Sequence, residues 1–158
     1  MRWISTERAW RREAYGMALY VAVVLDAALL TLDPRGITIL QLVWGTCVGL
    51  VLAHLFAFAL AARLAGGGHR DQEDRELALA QLTGAVAIAA LATVPLLLLG
   101  EPNELLGVEL VLSACIGVAA YGVRRKSGAG PAGALVFAAV VLVIAGAIAI
   151  IKNALVGH

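Results

Sequence analysis

Residues 131–151 read PAGALVFAAVVLVIAGAIAII, and no residue in this stretch carries a polar or charged side chain. At a rise of about 1.5 Å per residue, about 20 apolar residues cross a hydrocarbon core roughly 30 Å thick. In lipid, only helices and closed barrels satisfy the backbone polar groups, and this run lacks the alternation of a barrel strand. The stretch therefore predicts a transmembrane helix.

Four further segments have comparable length and apolarity. They are residues 14–32, 37–62, 77–99 and 105–123. The whole chain is 61% hydrophobic and 15% charged, with a mean hydropathy of +0.90, which is more apolar than a soluble domain. We therefore expect an all-α membrane protein, a five-transmembrane-helix bundle that forms one domain over residues 1–158.

Short turns separate most of these segments, at residues 33–36, 100–104 and 127–131. Their glycine and proline residues are typical turn formers, and short connections predict antiparallel neighbours. The first apolar run is about 19 residues long, which exceeds a signal-peptide core, and Asp26 interrupts it. We expect it to be a retained membrane helix.

Basic residues predict the orientation, because cytoplasmic loops are enriched in Lys and Arg. Ten of the twelve fall on one side of the predicted bundle: Arg2, Arg8, Arg11, Arg12, Arg63, Arg70, Arg75, Arg124, Arg125 and Lys126. Arg35 and Lys152 fall on the other side. This bias predicts a cytoplasmic (inner or plasma) membrane protein with its N-terminus in the cytoplasm and its C-terminus outside.

Residues 2–13, RWISTERAWRRE, have the composition of an interfacial amphipathic helix. Trp3 and Trp10 are seven positions apart and share one helical face, with arginines around them. Such a helix lies on the cytoplasmic leaflet with its aromatic rings at headgroup depth. The alternative is a frayed tail whose tryptophans touch the bundle.

Three ionisable residues lie within the predicted spans: Asp26, His54 and Glu109. A charge at the centre of a membrane helix costs roughly 2.5–3.5 kcal/mol on insertion scales, so such residues usually face the bundle interior. By position, Asp26 and Glu109 lie at similar depth in the outer half, and His54 lies nearer the cytoplasmic side. We expect a ladder of two acids above an imidazole.

Polar and small residues recur at helical spacing beside these groups. Glu109, Ser113, Gly117 and Tyr121 form one stripe on helix four, and Gln81 begins a similar stripe on helix three. The four-residue spacing places each set on one face, so we expect both stripes to line a polar pathway.

Three glycines are predicted to serve helix packing. Gly45 and Gly49 form a GxxxG pair on helix two, and Gly117 lies in the stripe of helix four. Small residues permit close helix approach, within the chain or between chains. On helix two, Cys47 shares a face with His54 because the two are seven residues apart.

Metal, cofactor and enzyme signals are missing from the sequence. Cys47 and Cys115 lack CxxC spacing, and Cys47 is roughly 10 Å from His54 along one helix, too far to share a metal ion. His54 has no histidine partner in another span, so a bis-histidine haem needs a second copy. No catalytic motif is present, and a net charge of +1 predicts no nucleic-acid partner. We expect no cofactor and no enzymatic activity.

The first hypothesis is a small oligomeric channel or transporter for protons or small cations. Asp26 and Glu109 then hold the ion or proton, and His54 passes a proton on or gates the inner side. The alternative is a non-enzymatic accessory or scaffold subunit of a larger membrane complex, with each polar group merely satisfied. The size of the chain predicts a homo-oligomer in the lipid bilayer, or packing against a larger membrane partner; a membrane enzyme is the third possibility.

Overall fold

The computed structural model of the chain describes residues 2–29, 37–64, 71–100 and 102–156. Within these ranges it is all-helical and has no β-strand. The five helices are α1 (Arg2–Leu29), α2 (Ile37–Leu64), α3 (Asp71–Leu98), α4 (Glu104–Lys126) and α5 (Pro131–Val156). The predicted all-α class is therefore confirmed.

Side-chain contacts fix how the helices run. Gln81 of α3 bonds Glu13 of α1, and both lie in the first halves of their helices. Trp44, early in α2, bonds Thr93, late in α3. Consecutive helices are thus antiparallel. Helices α1 and α3 begin, and α2 and α4 end, at one end of the bundle, which we call the basic end. We call the other end the opposite end.

Helix α1 lies at the centre of the bundle and contacts each of the other four helices, most extensively α3. Its residues Val21, Ala22 and Leu25 are completely buried. Burying an aliphatic side chain stabilises a water-soluble fold by about 1.5–3 kcal/mol. In lipid that term is lost, and close packing takes its place.

Close packing between α1 and α3 depends on Gly84. A Cβ atom at this position would overlap the carbonyl oxygen of Ala14 and lie 3.1 Å from the amide nitrogen of Ala18. Only glycine allows the α3 backbone to approach the α1 backbone in this way. Gly84 therefore sets the distance between the two helices.

A second close approach joins α3 to α4. A Cβ atom on Gly107 would lie 2.8 Å from the Cβ of Pro95. Pro95 is buried inside α3, and the helix continues beyond it, with the amide of Leu99 donating to the Pro95 carbonyl at 2.8 Å. Proline lacks the N–H that would bond the carbonyl four residues earlier, at Leu91.

Four helices are long and apolar enough to cross a membrane, which supports a membrane-embedded protein. The segments are Thr38–Ala57, Arg75–Leu98, Glu104–Lys126 and Pro131–Ile148. Helix α1 runs without interruption across the predicted boundary between residues 13 and 14. Residues 30–32, which complete its predicted span, lie outside the described residues, as does the side chain of Trp3. The fifth crossing and the interfacial helix stay predictions.

We predict that Gly84→Ala destabilises the bundle by about 1–3 kcal/mol, the usual cost of overpacking. Gly49→Ala is the matched control, because a Cβ atom there meets nothing within 4 Å. Thermal unfolding in detergent, followed by loss of helical circular dichroism, measures both variants. Equal midpoints for the two variants would contradict the assigned role of Gly84.

Candidate functional site

Two polar side chains are buried in the parts of the chain that the structure describes. Asp26 of α1 is 8% exposed and Gln81 of α3 is 4% exposed. Both face the interior, as their positions in the sequence predict. They lie towards different ends of the bundle and have different surroundings.

Asp26 lies within electrostatic range of a second acid. Glu109 of α4 is half-buried, and its carboxylate is close enough to Asp26 for the two charges to repel each other. Among the described residues, no hydrogen bond or ion pair reaches Asp26. The described Lys and Arg side chains all lie at the basic end. Among the described residues, the arrangement is therefore a pair of interacting acids without a compensating cation.

The stripe that carries Glu109 lies at the edge of the bundle interior. Its four members, Glu109, Ser113, Gly117 and Tyr121, are all half-buried. The deeply buried face of α4 is the adjacent one, formed by Val108, Leu112, Ile116 and Ala120. A Cβ atom on Gly117 would lie 3.3 Å from Leu142 of α5, so at this position the stripe faces α5. The sequence predicts that this stripe faces the polar interior. In the structure, the buried face lies one residue earlier in the sequence, at Val108 and not at Glu109.

The second polar group lies near the basic end. Gln81 Nε2 donates a hydrogen bond of 3.0 Å to Glu13 Oε2, and Arg12 Nη2 lies 3.3 Å from Glu13 Oε1. Glu13 thus receives one hydrogen bond from the neighbouring helix and one from an arginine. This cluster is satisfied by its own members, unlike the acid pair.

An apolar layer separates the two polar groups. Glu13 and Asp26 lie thirteen residues apart on α1, which is about 20 Å of helix. The interior between them contains Met17, Val21, Ala85, Ile88 and Leu112, all buried. Within the described residues, the inside of a single chain therefore provides no continuous polar route between the two groups.

His54 does not join the acids inside the chain, so the expected three-residue ladder is wrong for a single chain. Cys47, on the same face of α2, is 3% exposed, whereas His54 two turns later is exposed. The helical face was predicted correctly. The other helices cover that face only as far as Val51.

The predicted packing glycines have different environments. Gly117 packs against Leu142, but a Cβ atom on Gly45 or Gly49 meets nothing within 4 Å. Within the part of the chain that the structure describes, this GxxxG pair contacts no neighbouring helix, and its use between chains stays a prediction. Cys47 and Cys115 are free thiols.

Some structurally important residues escaped the sequence analysis. Glu13 was treated as part of a polar N-terminal segment, although it bonds Gln81. The hydrogen bond from Trp44 Nε1 to Thr93 Oγ1, 3.1 Å long, joins α2 to α3 at the level of the acid pair. Gly107 has a usable signal, since it is a glycine one turn into a predicted membrane helix. The sequence contains no signal for the partners of Glu13 and Trp44, because each of these contacts depends on the register between two helices.

Comparisons with protein-family models, with curated proteins and with solved structures gave no match. Among the described residues, no group of three or more His, Cys, Asp or Glu side chains is placed to hold a metal ion. The site is therefore interpreted from its own chemistry.

We predict that Gln81 and Glu13 are coupled by about 1 kcal/mol or more in a double-mutant cycle, because each loses a charge-assisted hydrogen bond when the other is replaced. The variants are Gln81→Leu, Glu13→Gln and the double replacement, compared by thermal unfolding in detergent. Glu7→Gln replaces Glu13→Gln in a control cycle, since Glu7 bonds Arg11 on the exposed side of α1. Additive effects in the first cycle would contradict the assigned contact.

Proposed function

We propose that this chain is the subunit of a small oligomeric channel or transporter for protons or small cations, in which Asp26 and Glu109 form the binding site. One observation carries the proposal. The Asp26 side chain is 8% exposed and lies within electrostatic range of the Glu109 carboxylate, and no hydrogen-bond donor or cation contacts Asp26 among the described residues.

The energetics of this pair favour a bound positive charge. An ionised carboxylate in apolar surroundings loses its hydration, and a second negative charge nearby adds repulsion. A proton on either group, or a small cation bound near them, reduces both costs. A pair that requires a positive charge for its stability is suited to bind and release one.

The apolar layer supports an oligomer as the working unit. Ions do not cross about 20 Å of packed aliphatic side chains, so a route from the acid pair must follow a different surface. The half-buried stripe of α4 offers Ser113 and Tyr121 below Glu109. Leu142 of α5 covers the stripe at Gly117, so a neighbouring chain would complete a polar path only along the parts of the stripe that α5 leaves open.

The proposed orientation places the basic end in the cytoplasm, with α1 as a fifth crossing. Helix α1 packs against all four helices that are long enough to cross the membrane, so it shares their path. Arg8, Arg75 and Arg124 lie at the basic end, together with the other described Lys and Arg side chains. The positive-inside rule then assigns this end to the cytoplasmic side of the plasma or inner membrane.

A second candidate is an accessory or scaffold subunit of a larger membrane complex. The apolar layer favours it, since a chain with a closed interior packs against partners without conducting anything. In that case the larger partner carries the activity, and Asp26 and Glu109 face a group that the partner provides.

We predict that Asp26→Asn and Glu109→Gln each lower proton or cation flux by about ten-fold or more, the effect of losing about 1.4 kcal/mol of ion binding. The measurement uses purified chain in liposomes with an imposed pH or ion gradient and an internal dye. The neutral side chains keep their size but lose the charge that attracts the ion.

Glu104→Gln is the matched control, since it removes an acid from the first turn of the same helix. Its flux should equal that of the unmodified chain. Unfolding midpoints of all variants confirm that any loss is not loss of fold. If the unmodified chain carries no flux for any cation tested, the scaffold proposal replaces the transport proposal.

We also predict opposite locations for the two ends of the bundle. A cysteine introduced at Ser127, at the basic end, should react with a membrane-impermeant maleimide only after the cells are opened. A cysteine introduced at Asn103, at the opposite end, should react in intact cells. Both positions are exposed, and the background lacks Cys47 and Cys115. The reverse labelling pattern would contradict the orientation.

A further inference from the structure

The first half of α1 presents a regular pattern of basic, small and aromatic residues on its exposed face. Arg8, Arg12, Gly16 and Tyr20 recur every four residues and so share one helical face, which we call the α1 stripe. All four are exposed, as is Tyr15 beside Gly16. Tyr15 and Tyr20 are 65% and 52% exposed. The described helices therefore leave this face of α1 uncovered.

The acids nearest to the two arginines of the α1 stripe have other partners. Glu7 accepts a hydrogen bond of 2.6 Å from Arg11, and Glu13 accepts one of 3.0 Å from α3. Arg12 lies 3.3 Å from the other oxygen of Glu13, an exposed contact of the kind that contributes little. No hydrogen bond or ion pair reaches Arg8 among the described residues. The stripe thus keeps positive charge that the neighbouring acids neutralise only in part.

Contacts between helices show where a membrane-spanning segment ends relative to α3. The segment of α2 ends at Ala57, thirteen residues after Trp44. Trp44 bonds Thr93 of the antiparallel helix α3, so Ala57 is level with the residue thirteen positions before Thr93. That residue is Ala80, which precedes Gln81. The membrane boundary at the basic end therefore lies close to Gln81.

The same level can be transferred to α1. Gln81 bonds Glu13, so Arg12, the residue before Glu13, lies at the membrane boundary. Arg8 lies one turn further out, about 6 Å, which matches a headgroup layer of roughly 5–8 Å in each leaflet. Gly16 lies about 6 Å further in. The α1 stripe therefore runs from the headgroups into the acyl chains.

Gly16 leaves a recess in the α1 stripe at the level of the acyl chains. A Cβ atom at this position would meet nothing within 4 Å. Tyr15 precedes the recess, and Tyr20 follows it one turn later on the same face. Side chains on a helix lean towards its start, so both tyrosine hydroxyls lean towards the headgroups. An acyl chain can therefore lie against the helix between the two aromatic rings.

We propose that the α1 stripe binds an anionic phospholipid of the leaflet at the basic end. Arg8 and Arg12 are one turn apart, with about 5–6 Å between their Cβ atoms, so both guanidinium groups reach one phosphate. One acyl chain of the same lipid lies over Gly16. A zwitterionic lipid lacks the net negative charge, and a free phosphate ion lacks the acyl chain, so neither matches the whole stripe.

Native mass spectrometry of the purified full-length chain in non-ionic detergent measures the dissociation constant of the first bound lipid. Phosphatidylglycerol and phosphatidylcholine are titrated separately. We expect phosphatidylglycerol to bind at least about five-fold more tightly, because each arginine near an anionic membrane surface contributes about 1 kcal/mol. The measurement requires no ion flux, so its outcome is independent of the proposed transport function.

Arg8→Gln and Arg12→Gln should each weaken phosphatidylglycerol binding by about five-fold and leave phosphatidylcholine binding unchanged. The matched controls, Arg63→Gln and Arg124→Gln, each remove an exposed charge elsewhere at the basic end. They should leave both dissociation constants unchanged. The proposal is wrong if the controls weaken phosphatidylglycerol binding as much as the stripe variants do. It is also wrong if the unmodified chain binds both lipids equally.

Gly16→Leu tests the acyl-chain contact without a change of charge. The new side chain fills the recess and should weaken phosphatidylglycerol binding, whereas Gly45→Leu, at an equally open position on α2, should not. Circular dichroism checks that both variants are folded. Inorganic phosphate in excess should not displace the lipid. Unchanged binding in Gly16→Leu, or displacement by inorganic phosphate, would indicate a site for the phosphate group alone and overturn the proposal.

Discussion

The absence of a side chain at Gly84 determines much of this architecture. It lets α3 approach the backbone of α1 more closely than any other residue would allow, and in lipid such close contact replaces the hydrophobic effect as the source of helix association. Because α1 and α3 close at this level, α1 becomes the centre of the bundle. Helix α2 packs against the core along its first half, and among the described side chains of its second half only Leu55 does so.

The bundle arranges its polar side chains in two groups with different chemistry. Near the basic end, Gln81, Glu13 and Arg12 satisfy one another and join α1 to α3. Near the opposite end, Asp26 and Glu109 repel each other and are left without a donor among the described residues. The first group is explained by stability alone. The second costs stability, and that cost is the reason to seek a function there.

The sequence predicted what depends on one helix at a time. The apolar runs predicted the helices, the cost of a charge in lipid predicted that Asp26 faces inward, and helical spacing predicted the same for Gln81. It failed where the answer depends on how one helix lies against another. Spacing correctly placed His54 on the same face as Cys47, but His54 is exposed, and the burial of a residue depends on how far the neighbouring helices extend. The buried face of α4 lies one residue from the predicted stripe of Glu109, because spacing alone does not distinguish a buried face from the neighbouring face.

Positive and negative side chains lie at different levels along the length of the bundle. Positive side chains cluster at the basic end, while the acid pair lies about 20 Å of helix beyond Glu13. A full membrane potential of 100 mV acts on one elementary charge with about 2.3 kcal/mol. Under the proposed function, a proton or cation bound at Asp26 would lie part of the way through that field. Its occupancy would therefore respond to voltage as well as to concentration, without a dedicated voltage sensor.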